Sequence, residues 1–311
     1  MTIRRSARLV AKAAETPVAM ASPALKVATE TSKVTKARSK KAKEESSDPA
    51  GVSRPAPSIV TTATATVSAF PSLASPQVMQ DALRHLKTAD PKLGKFIDKI
   101  AEQCVMSLDR DQDGHTSYIS LCQSIIYQQL AGKAAAAILL RFLKQYGTLK
   151  DRSKADLLAA GGAGLDSSDF VFPTPQQVAA IDTEELKNVG LGQRKAEYLK
   201  EVALKFNDGT LSDEKLAMMS DSEAAAALVA IRGIGPWTAD MFLMFHLKRT
   251  NILPTLDLAV RKAMCHHFGV PFGKKTPTHE QMVEMGQIWE PYRSVATWYM
   301  WKLSGTVTQK S

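Results

Sequence analysis

The sequence is poor in cysteine and has no long apolar run. Only three cysteines occur in 311 residues, Cys104, Cys122 and Cys265, and they lie far apart. This number excludes a four-cysteine iron–sulfur cluster or a closed all-cysteine zinc site within the chain. It also favours a reducing compartment over a disulfide framework. No apolar stretch approaches the ~18 residues that a membrane span needs, and no secretory leader pattern is present. We therefore expect no membrane partner.

Aromatic side chains are almost absent from the first 75 residues, which contain one Phe and no Trp or Tyr. This segment carries 12 Lys and Arg against five Asp and Glu, a net charge of +7 out of +9 for the chain. It can bury too little apolar surface to offset the entropy lost on ordering. We therefore predict a disordered basic tail over residues 1–75.

The tail contains two patterns that bear on localisation. Lys36–Lys43 is a basic cluster of the kind that directs proteins to the nucleus or tethers them to DNA. Met1–Val10 bears arginines and no acid, as transit peptides do. The nucleus is the expected location, with a mitochondrion or plastid as the alternative; a merely solubilising extension is the third interpretation.

Alternating strand patterns are missing as well. From residue 76 onward, apolar residues recur at helical spacing, and glycine and proline turns separate the segments. We predict an all-α domain over residues 76–305, built as two helical lobes with a central cleft, followed by a disordered C-terminus at 306–311. The predicted helices cover residues 76–88, 92–107, 117–130, 132–146, 153–160, 175–180, 182–188, 192–206, 213–219, 221–232, 236–247, 257–268, 278–289 and 292–303.

The segment Leu228–Asp240 predicts a helix, a Gly-Ile-Gly turn and a second helix. Gly233 can adopt the left-handed conformation that ends a helix, and Pro236 suits the first position of the next one. Gly235 leaves the amides at that helix start open to an anion. Such a site contacts phosphate without reading bases. The segment therefore predicts DNA binding, with an ordinary joint between two helices as the alternative.

A second glycine-bearing turn lies at Leu186–Ala196 but lacks the Pro-Trp of the first. Its Arg194 and Lys195 are candidates for contacts with backbone phosphates. The alternative is a solvated helix face.

Asp257 begins a predicted helix and is the candidate catalytic residue. An aspartate at this position usually caps the helix, which contributes ~1 kcal/mol, and this role is compatible with catalysis because a helix N-terminus favours an anion. The nine-residue connection Lys248–Leu256 could span about 30 Å when extended. It is therefore long enough to bring Asp257 back to the hairpin and to a sugar-phosphate bound there.

The acidic loop Asp109–Gly114 matches the first half of a calcium-binding EF-hand. Position 12 of such a loop would be Ser120 instead of a bidentate Glu, and position 8 would be Thr116 instead of an apolar residue. We interpret the loop as a helix-capping surface loop, with calcium binding, and a calcium-regulated interaction protein, as the alternative.

Taken together, these segments resemble the helix-hairpin-helix (HhH-GPD) DNA glycosylases of the 3-methyladenine DNA glycosylase II type, in their eukaryotic branch. The resemblance runs from about Asp81 to Leu303. It rests on Asp90–Leu93, Tyr118–Ala135, Gly190–Ala196, the hairpin, the Asp257 segment and Trp289–Trp301.

The resemblance implies a role for each matching position. Asp257 corresponds to the catalytic aspartate, and Gln129 to the side chain that fills the gap left by an extruded base. The implied hairpin residues that hold a phosphate are Gly233, Gly235 and Thr238. The implied aromatic pocket walls are Trp237 and Trp301. Tyr127 and Tyr299 are further candidates that either line the pocket or pack in the core.

The resemblance also limits cofactors and chemistry. It implies no catalytic metal and no iron–sulfur cluster; the expected ion is a structural Na⁺ or K⁺ on the carbonyls of the 231–236 hairpin. Trp237 stands where bifunctional relatives such as endonuclease III carry a nucleophilic Lys. Because an indole cannot form a Schiff base, strand cleavage is not expected.

The implied activity is that of a monofunctional DNA glycosylase in base excision repair. It would hydrolyse the N-glycosidic bond of alkylated purines, chiefly 3-methyladenine and 7-methylguanine, in double-stranded DNA, act as a monomer, and leave an abasic site. A methylated purine is cationic, and stacking of a cation on Trp contributes roughly 0.5–2 kcal/mol. A lone carboxylate can then stabilise the oxocarbenium-like sugar. The alternative is a catalytically silent module that binds damaged DNA.

Overall fold

The computed structural model describes residues 70–100, 115–273 and 276–307. Most of the predicted tail, Cys104 and the acidic loop at 109–114 lie outside these residues. The described helices are α1 (Pro76–Ala89), α2 (Pro91–Ile100), α3 (Ser117–Tyr127), α4 (Gly132–Tyr146), α5 (Ala155–Ala159), α6 (Pro175–Ala180), α7 (Thr183–Asn188), α8 (Gln193–Asn207), α9 (Asp213–Met218), α10 (Asp221–Val229), α11 (Pro236–Phe245), α12 (Leu258–Phe268), α13 (His279–Met285) and α14 (Arg293–Val307). No helix in this part of the chain is both long and apolar enough to cross a bilayer.

Local sequence signals explain where many helices begin. Thr174, Ser220 and Thr278 each accept a hydrogen bond from the amide three residues on, and the Gln or Glu side chain at that position accepts from the capping residue's own amide. Such capping boxes satisfy two amides that a helix start leaves unpaired. Prolines occupy the first position of α6 and α11, where no amide is needed.

The helices pack in two groups within one compact unit. Helices α1, α2, α12, α13 and α14 contact one another, together with a 3-10 helix at Gly286–Trp289; α3, α4, α6, α7 and α8 form the second group. Helix α11 packs against α3 and α10, while the ring of Phe245 near its end stacks on Trp301 of α14. This arrangement confirms the predicted all-α, two-lobed architecture and brings the starts of α11 and α12 together.

Residues 70–75 pack onto the core, although their composition placed them in the predicted tail. Leu73 is fully buried and its amide donates to the carbonyl of Lys248. The Phe70 ring lies 4.2 Å from the guanidinium carbon of Arg249. The buried Arg249 side chain in turn donates to carbonyls at the end of α9. Two apolar side chains thus anchor a segment whose average composition is typical of disorder.

Three smaller details differ from the sequence-based prediction. Helix α3 ends at Tyr127 instead of residue 130, since Gln129 has a φ of 56°, which no α-helical residue adopts. A two-residue antiparallel ladder pairs Thr148 with Val171 and Leu149 with Phe170. Helix α14 continues to Val307, two residues past the predicted end of the domain.

Candidate active site

Asp257 is held by three hydrogen bonds at the start of α12. Its Oδ1 accepts from the amides of Ala259 and Val260, each at 2.9 Å, so it caps the helix. Its Oδ2 accepts from the indole Nε1 of Trp237 at 2.8 Å. Both carboxylate oxygens are therefore oriented, one by its own helix and the other by the first turn of α11.

The hairpin between α10 and α11 has the geometry that the glycines predict. Gly233 has a φ of 88°, and a Cβ added there would lie 2.1 Å from the Tyr198 ring. Ile234 is buried, whereas Gly235 is exposed, has nothing within 4 Å of an added Cβ, and caps α11 with no side chain. A helix start without a side-chain cap leaves amides available to an anion such as phosphate.

Side chains of α8 and of the residue that follows α3 contact the hairpin. Tyr198 of α8 fills the space beneath Gly233. Glu201, one turn further along α8, accepts from the backbone amide of Arg232 at 3.1 Å and pairs with its guanidinium. From the other side, Nε2 of Gln128 donates to the carbonyl of Gly233 at 2.9 Å. The hairpin conformation is thus fixed without DNA.

The predicted aromatic pocket residues divide between surface and core. Trp237 and Trp301 are half-buried, and Trp301 stacks on Phe245 with ring centroids 5.8 Å apart and planes 20° from parallel. Tyr127 is also half-buried, and burial raises the pKa of its hydroxyl. Tyr299 is 2% exposed and packs edge-on against Trp298 in the core. Core packing is therefore the better interpretation for Tyr299.

The predicted DNA-contacting residues are placed unequally. Gln129 and Arg194 are exposed, and Thr238 is half-buried in the first turn of α11. Lys195, predicted to reach a phosphate, instead points inward. Its Nζ donates to the carbonyls of Ile126 at 2.8 Å and Gln128 at 2.6 Å, and burial lowers its pKa. Its ammonium is therefore already engaged within the protein.

Several residues at the site were not found by sequence reasoning. Gln128, Tyr198 and Glu201 each contact the hairpin. The available signal in the sequence was the three-residue spacing of Lys195, Tyr198 and Glu201 along α8.

Asp240 lies one helical turn beyond Trp237 on α11 and, like Asp257, carries a carboxyl group. Burial raises its pKa to about 7, so it is a weaker source of negative charge at neutral pH. No group of three or more His, Cys, Asp or Glu side chains able to hold a metal occurs in the described parts of the chain.

Comparison with known proteins agrees with this geometry. Residues 122–291, more than half of the chain, match the family model described as HhH-GPD superfamily base excision DNA repair protein. The chain belongs to the HhH-GPD superfamily. The matched region includes the hairpin and Asp257, and it ends just before α14, the helix that carries Trp301.

Relatives of this HhH-GPD protein include named glycosylases. It is 32% identical over 188 residues to a putative DNA-3-methyladenine glycosylase, YfjP, of Bacillus subtilis; the match covers 60% of this chain but only 59% of that protein. It is 30% identical over 197 residues to DNA-3-methyladenine glycosylase 1 of Schizosaccharomyces pombe, covering 63% of this chain and 76% of the relative.

A solved structure gives the same picture of the fold. The S. pombe 3-methyladenine DNA glycosylase Mag1, in complex with abasic DNA, superposes with a TM-score of 0.53 at 27% identity. The match covers 71% of this chain and 95% of Mag1.

Proposed function

We propose that this protein is a monofunctional DNA glycosylase of base excision repair. It hydrolyses the N-glycosidic bond of alkylated purines, chiefly 3-methyladenine and 7-methylguanine, in double-stranded DNA and leaves an abasic site. The observation that carries the proposal is the hydrogen bond between Trp237 and Asp257, which places an aromatic ring and an oriented carboxylate side by side next to the hairpin. The names of the relatives in Bacillus subtilis and S. pombe support the substrate class.

The hairpin and the α3–α4 turn (Gln128–Ala131) would bind the DNA before the N-glycosidic bond is broken. The amides at the start of α11, around Gly235 and Thr238, donate hydrogen bonds to a phosphate oxygen beside the damaged nucleotide. Extruding that nucleotide costs a few kcal/mol. The exposed Gln129 enters the vacated space and offsets part of this cost, and the exposed Arg194 contacts a backbone phosphate.

The extruded base then stacks on the two tryptophans. A purine methylated on the ring carries a positive charge, so it is attracted to the faces of Trp237 and Trp301 by roughly 0.5–2 kcal/mol for each ring. This attraction discriminates in favour of alkylated bases. The charge also makes the base a good leaving group, so the site needs no general acid.

Bond cleavage depends on Asp257. As the N-glycosidic bond breaks, its electron pair neutralises the departing base and positive charge moves to the sugar. The Asp257 carboxylate, held by three N–H groups, stabilises this charge without reorganising. Water then adds to C1′ and loses a proton to Asp257 or to solvent. Because Trp237 cannot form a Schiff base, the product is an intact strand with an abasic site.

Replacement of Asp257 by Asn tests the proposal. The Asn side chain keeps an oxygen that can accept from the amides of Ala259 and Val260, so the cap of α12 is retained. Its NH2 group cannot accept from the indole N–H of Trp237, so we expect the melting temperature to fall by several degrees while the protein stays folded. Loss of the negative charge should reduce the release of methylated bases by at least about a thousandfold, while binding to a duplex with a stable abasic analogue persists. Mass spectrometry of bases freed from methylated DNA measures the first quantity, and fluorescence anisotropy the second.

Two outcomes would contradict the proposal. Undiminished release by the Asn variant would remove Asp257 from the mechanism. Absence of release by the unaltered protein, with DNA binding retained, would identify it as a silent binding module.

Three further properties belong to this proposal. A Na⁺ or K⁺ ion would be held by carbonyls of residues 231–236; the carbonyls of Ile231 and Gly233 each accept one hydrogen bond and keep a second lone pair. The protein would act as a monomer. It would work in the nucleus, with a mitochondrion or plastid as the alternative. The sequence patterns behind these locations, Lys36–Lys43 and Met1–Val10, lie outside the residues that the structure describes.

A further inference from the structure

Side chains of α8 contact both parts of the structure that would bind DNA in the proposed function, namely the α3–α4 turn and the hairpin. Lys195, Tyr198 and Glu201 follow one another at intervals of three residues, so each side chain neighbours the next and the three form a stripe that turns through about 120° around the helix. They span about 9 Å along its axis. Lys195 contacts the α3–α4 turn (Gln128–Ala131), whereas Tyr198 and Glu201 contact the hairpin.

The position of Lys195 is unfavourable for α8 itself. The residue lies in the first turn of the helix, where the helix dipole disfavours a cation, and burial lowers its pKa. For α3 the same ammonium is favourable, because it donates to the carbonyls of Ile126 and Gln128 at the C-terminal end of that helix. The contacts of Lys195 therefore serve the α3–α4 turn more than its own helix.

The turn held by Lys195 is tight and carries an exposed side chain. Gln129 adopts the left-handed conformation, which costs a non-glycine residue roughly 1–2 kcal/mol. The residue just before it, Gln128, is fixed twice: its carbonyl by Lys195 and its side chain by the carbonyl of Gly233. A closed chain of contacts thus runs from α8 to the turn, across to the hairpin and back to α8.

We propose that Lys195 is a positioning residue that holds the α3–α4 turn at a set distance from the hairpin, so that Gln129 enters the DNA while the hairpin grips the neighbouring phosphate. Lys195 makes no phosphate contact of its own. The inference rests on the proposed function, since the gap-filling role of Gln129 belongs to it. Its effect should appear where a base pair must be opened, and not in bond cleavage itself.

The test replaces Lys195 by Met, which keeps the length of the side chain but removes its donors. Two duplexes carry 7-methylguanine, one opposite cytosine and one opposite an abasic analogue, where no partner base holds the lesion in place. We expect single-turnover release from the paired duplex to fall about tenfold, as for the loss of a charged hydrogen bond, and release from the unpaired duplex to fall less than about threefold. Lys195→Arg, which keeps the charge and the donors, should restore most of the rate on the paired duplex.

A matched control is available on the same helix. Lys200 also donates to a helix-end carbonyl, that of Ile181 at 2.7 Å, but lies away from the turn. Lys200→Met should lose a similar amount of thermal stability and show no preference between the two duplexes. The slope of log binding constant against log salt should stay the same in Lys195→Met, because a lost phosphate contact would reduce it by about one.

Several results would overturn the inference: an equal loss on both duplexes, the same selective loss in Lys200→Met, or a reduced salt slope.

If the unaltered protein releases no base, the proposed function fails, and the positioning role of Lys195 is tested by a separate measurement. Insertion of Gln129 is then measured by the fluorescence of 2-aminopurine placed opposite an abasic analogue. An increase on binding that Lys195→Met lacks supports the positioning role, and no difference between the two proteins, or no increase in either, contradicts it.

Discussion

At the scale of single residues, Trp237 would combine two tasks in the proposed function. Its ring would stack on the base, and its indole N–H donates to Oδ2 of Asp257 at 2.8 Å. The remaining oxygen is fixed by amides of α12. The carboxylate is therefore set in place before any substrate arrives, which is the condition under which a fixed charge stabilises a transition state most effectively.

Replacing Trp237 by Phe separates these two tasks. Phe keeps an aromatic face for a cationic base but loses the N–H donor. A hydrogen bond to a charged group contributes about 1.5–3 kcal/mol, so we expect single-turnover base release to fall about ten- to a hundredfold. Trp301→Phe is the matched control, because Trp301 stacks on Phe245 and no hydrogen bond joins it to Asp257. Equal losses in both variants would show that the indole N–H has no orienting role.

The sequence predicts single residues well when the signal is local. Asp257 caps α12 as expected, because capping depends only on the next three residues. The Trp237–Asp257 bond depends on how the connection Lys248–Leu256 folds, and the sequence indicates its reach but not its path. The sequence also did not predict that the Lys195 side chain points into the protein. Helical spacing indicates on which face of α8 the residue lies, but its long side chain can reach carbonyls of α3 that the spacing does not reveal.

At the scale of elements, the hairpin depends on a single backbone conformation. Gly233 is left-handed and lies against the Tyr198 ring, whereas Gly235, two residues on, has a φ of −89° and open space around it. The two glycines therefore serve different purposes, one conformational and one that leaves room for a ligand.

Alanine at each position should show this difference. Gly233→Ala imposes a left-handed Ala, which costs roughly 1–2 kcal/mol, and also displaces Tyr198, so its melting temperature should drop by several degrees. Gly235→Ala should leave the melting temperature unchanged but weaken binding to an abasic-analogue duplex, because its methyl group occupies the approach to the amides. Thermal unfolding and fluorescence anisotropy measure the two effects. Equal melting temperatures for the two variants would contradict the conformational role of Gly233.

Helix boundaries were predictable where glycine or proline marks them. Helices α4 and α6 have the predicted bounds, since Gly147 follows the first and Pro175 begins the second. The end of α3 was placed three residues too late because Gln129, in the left-handed conformation, is neither Gly nor Asn. Tertiary contacts of Lys195 and Gln128 hold that turn, and no short-range pattern records them.

At the scale of the whole molecule, Asp90 joins elements from both ends of the described chain. Its Oδ2 lies 2.6 Å from Nε2 of His267 at the end of α12 and accepts from Nε1 of Trp289 at 2.9 Å. Its Oδ1 accepts from the amide of Leu93. Burial alone would raise the pKa of Asp90, but these partners lower it to about 2. In the sequence, Asp90–Leu93 is one of the segments that carry the resemblance, but the partners of Asp90 could not be predicted because they lie 177 and 199 residues away.

The pH dependence of stability should report on this junction. The folded pKa of Asp90 lies below its usual 3.8, so the carboxylate stabilises the fold above about pH 4 and this contribution disappears as pH falls towards 2. Asp90→Asn should therefore lower the free energy of unfolding at pH 7 by about 2 kcal/mol, with a smaller difference at pH 3. Urea denaturation at both values measures it. A difference that stays constant with pH would mean that the charge of Asp90 is not responsible.

The two roles proposed for Trp237 affect attempts to broaden the set of lesions on which the proposed activity would act. A smaller residue there would admit bulkier adducts, yet it would also release Oδ2 of Asp257, so any gain in range would be accompanied by slower turnover. Trp301 has no such link, because its neighbour is the Phe245 ring. Directed evolution for new adducts should therefore accept changes at Trp301 far more readily than at Trp237.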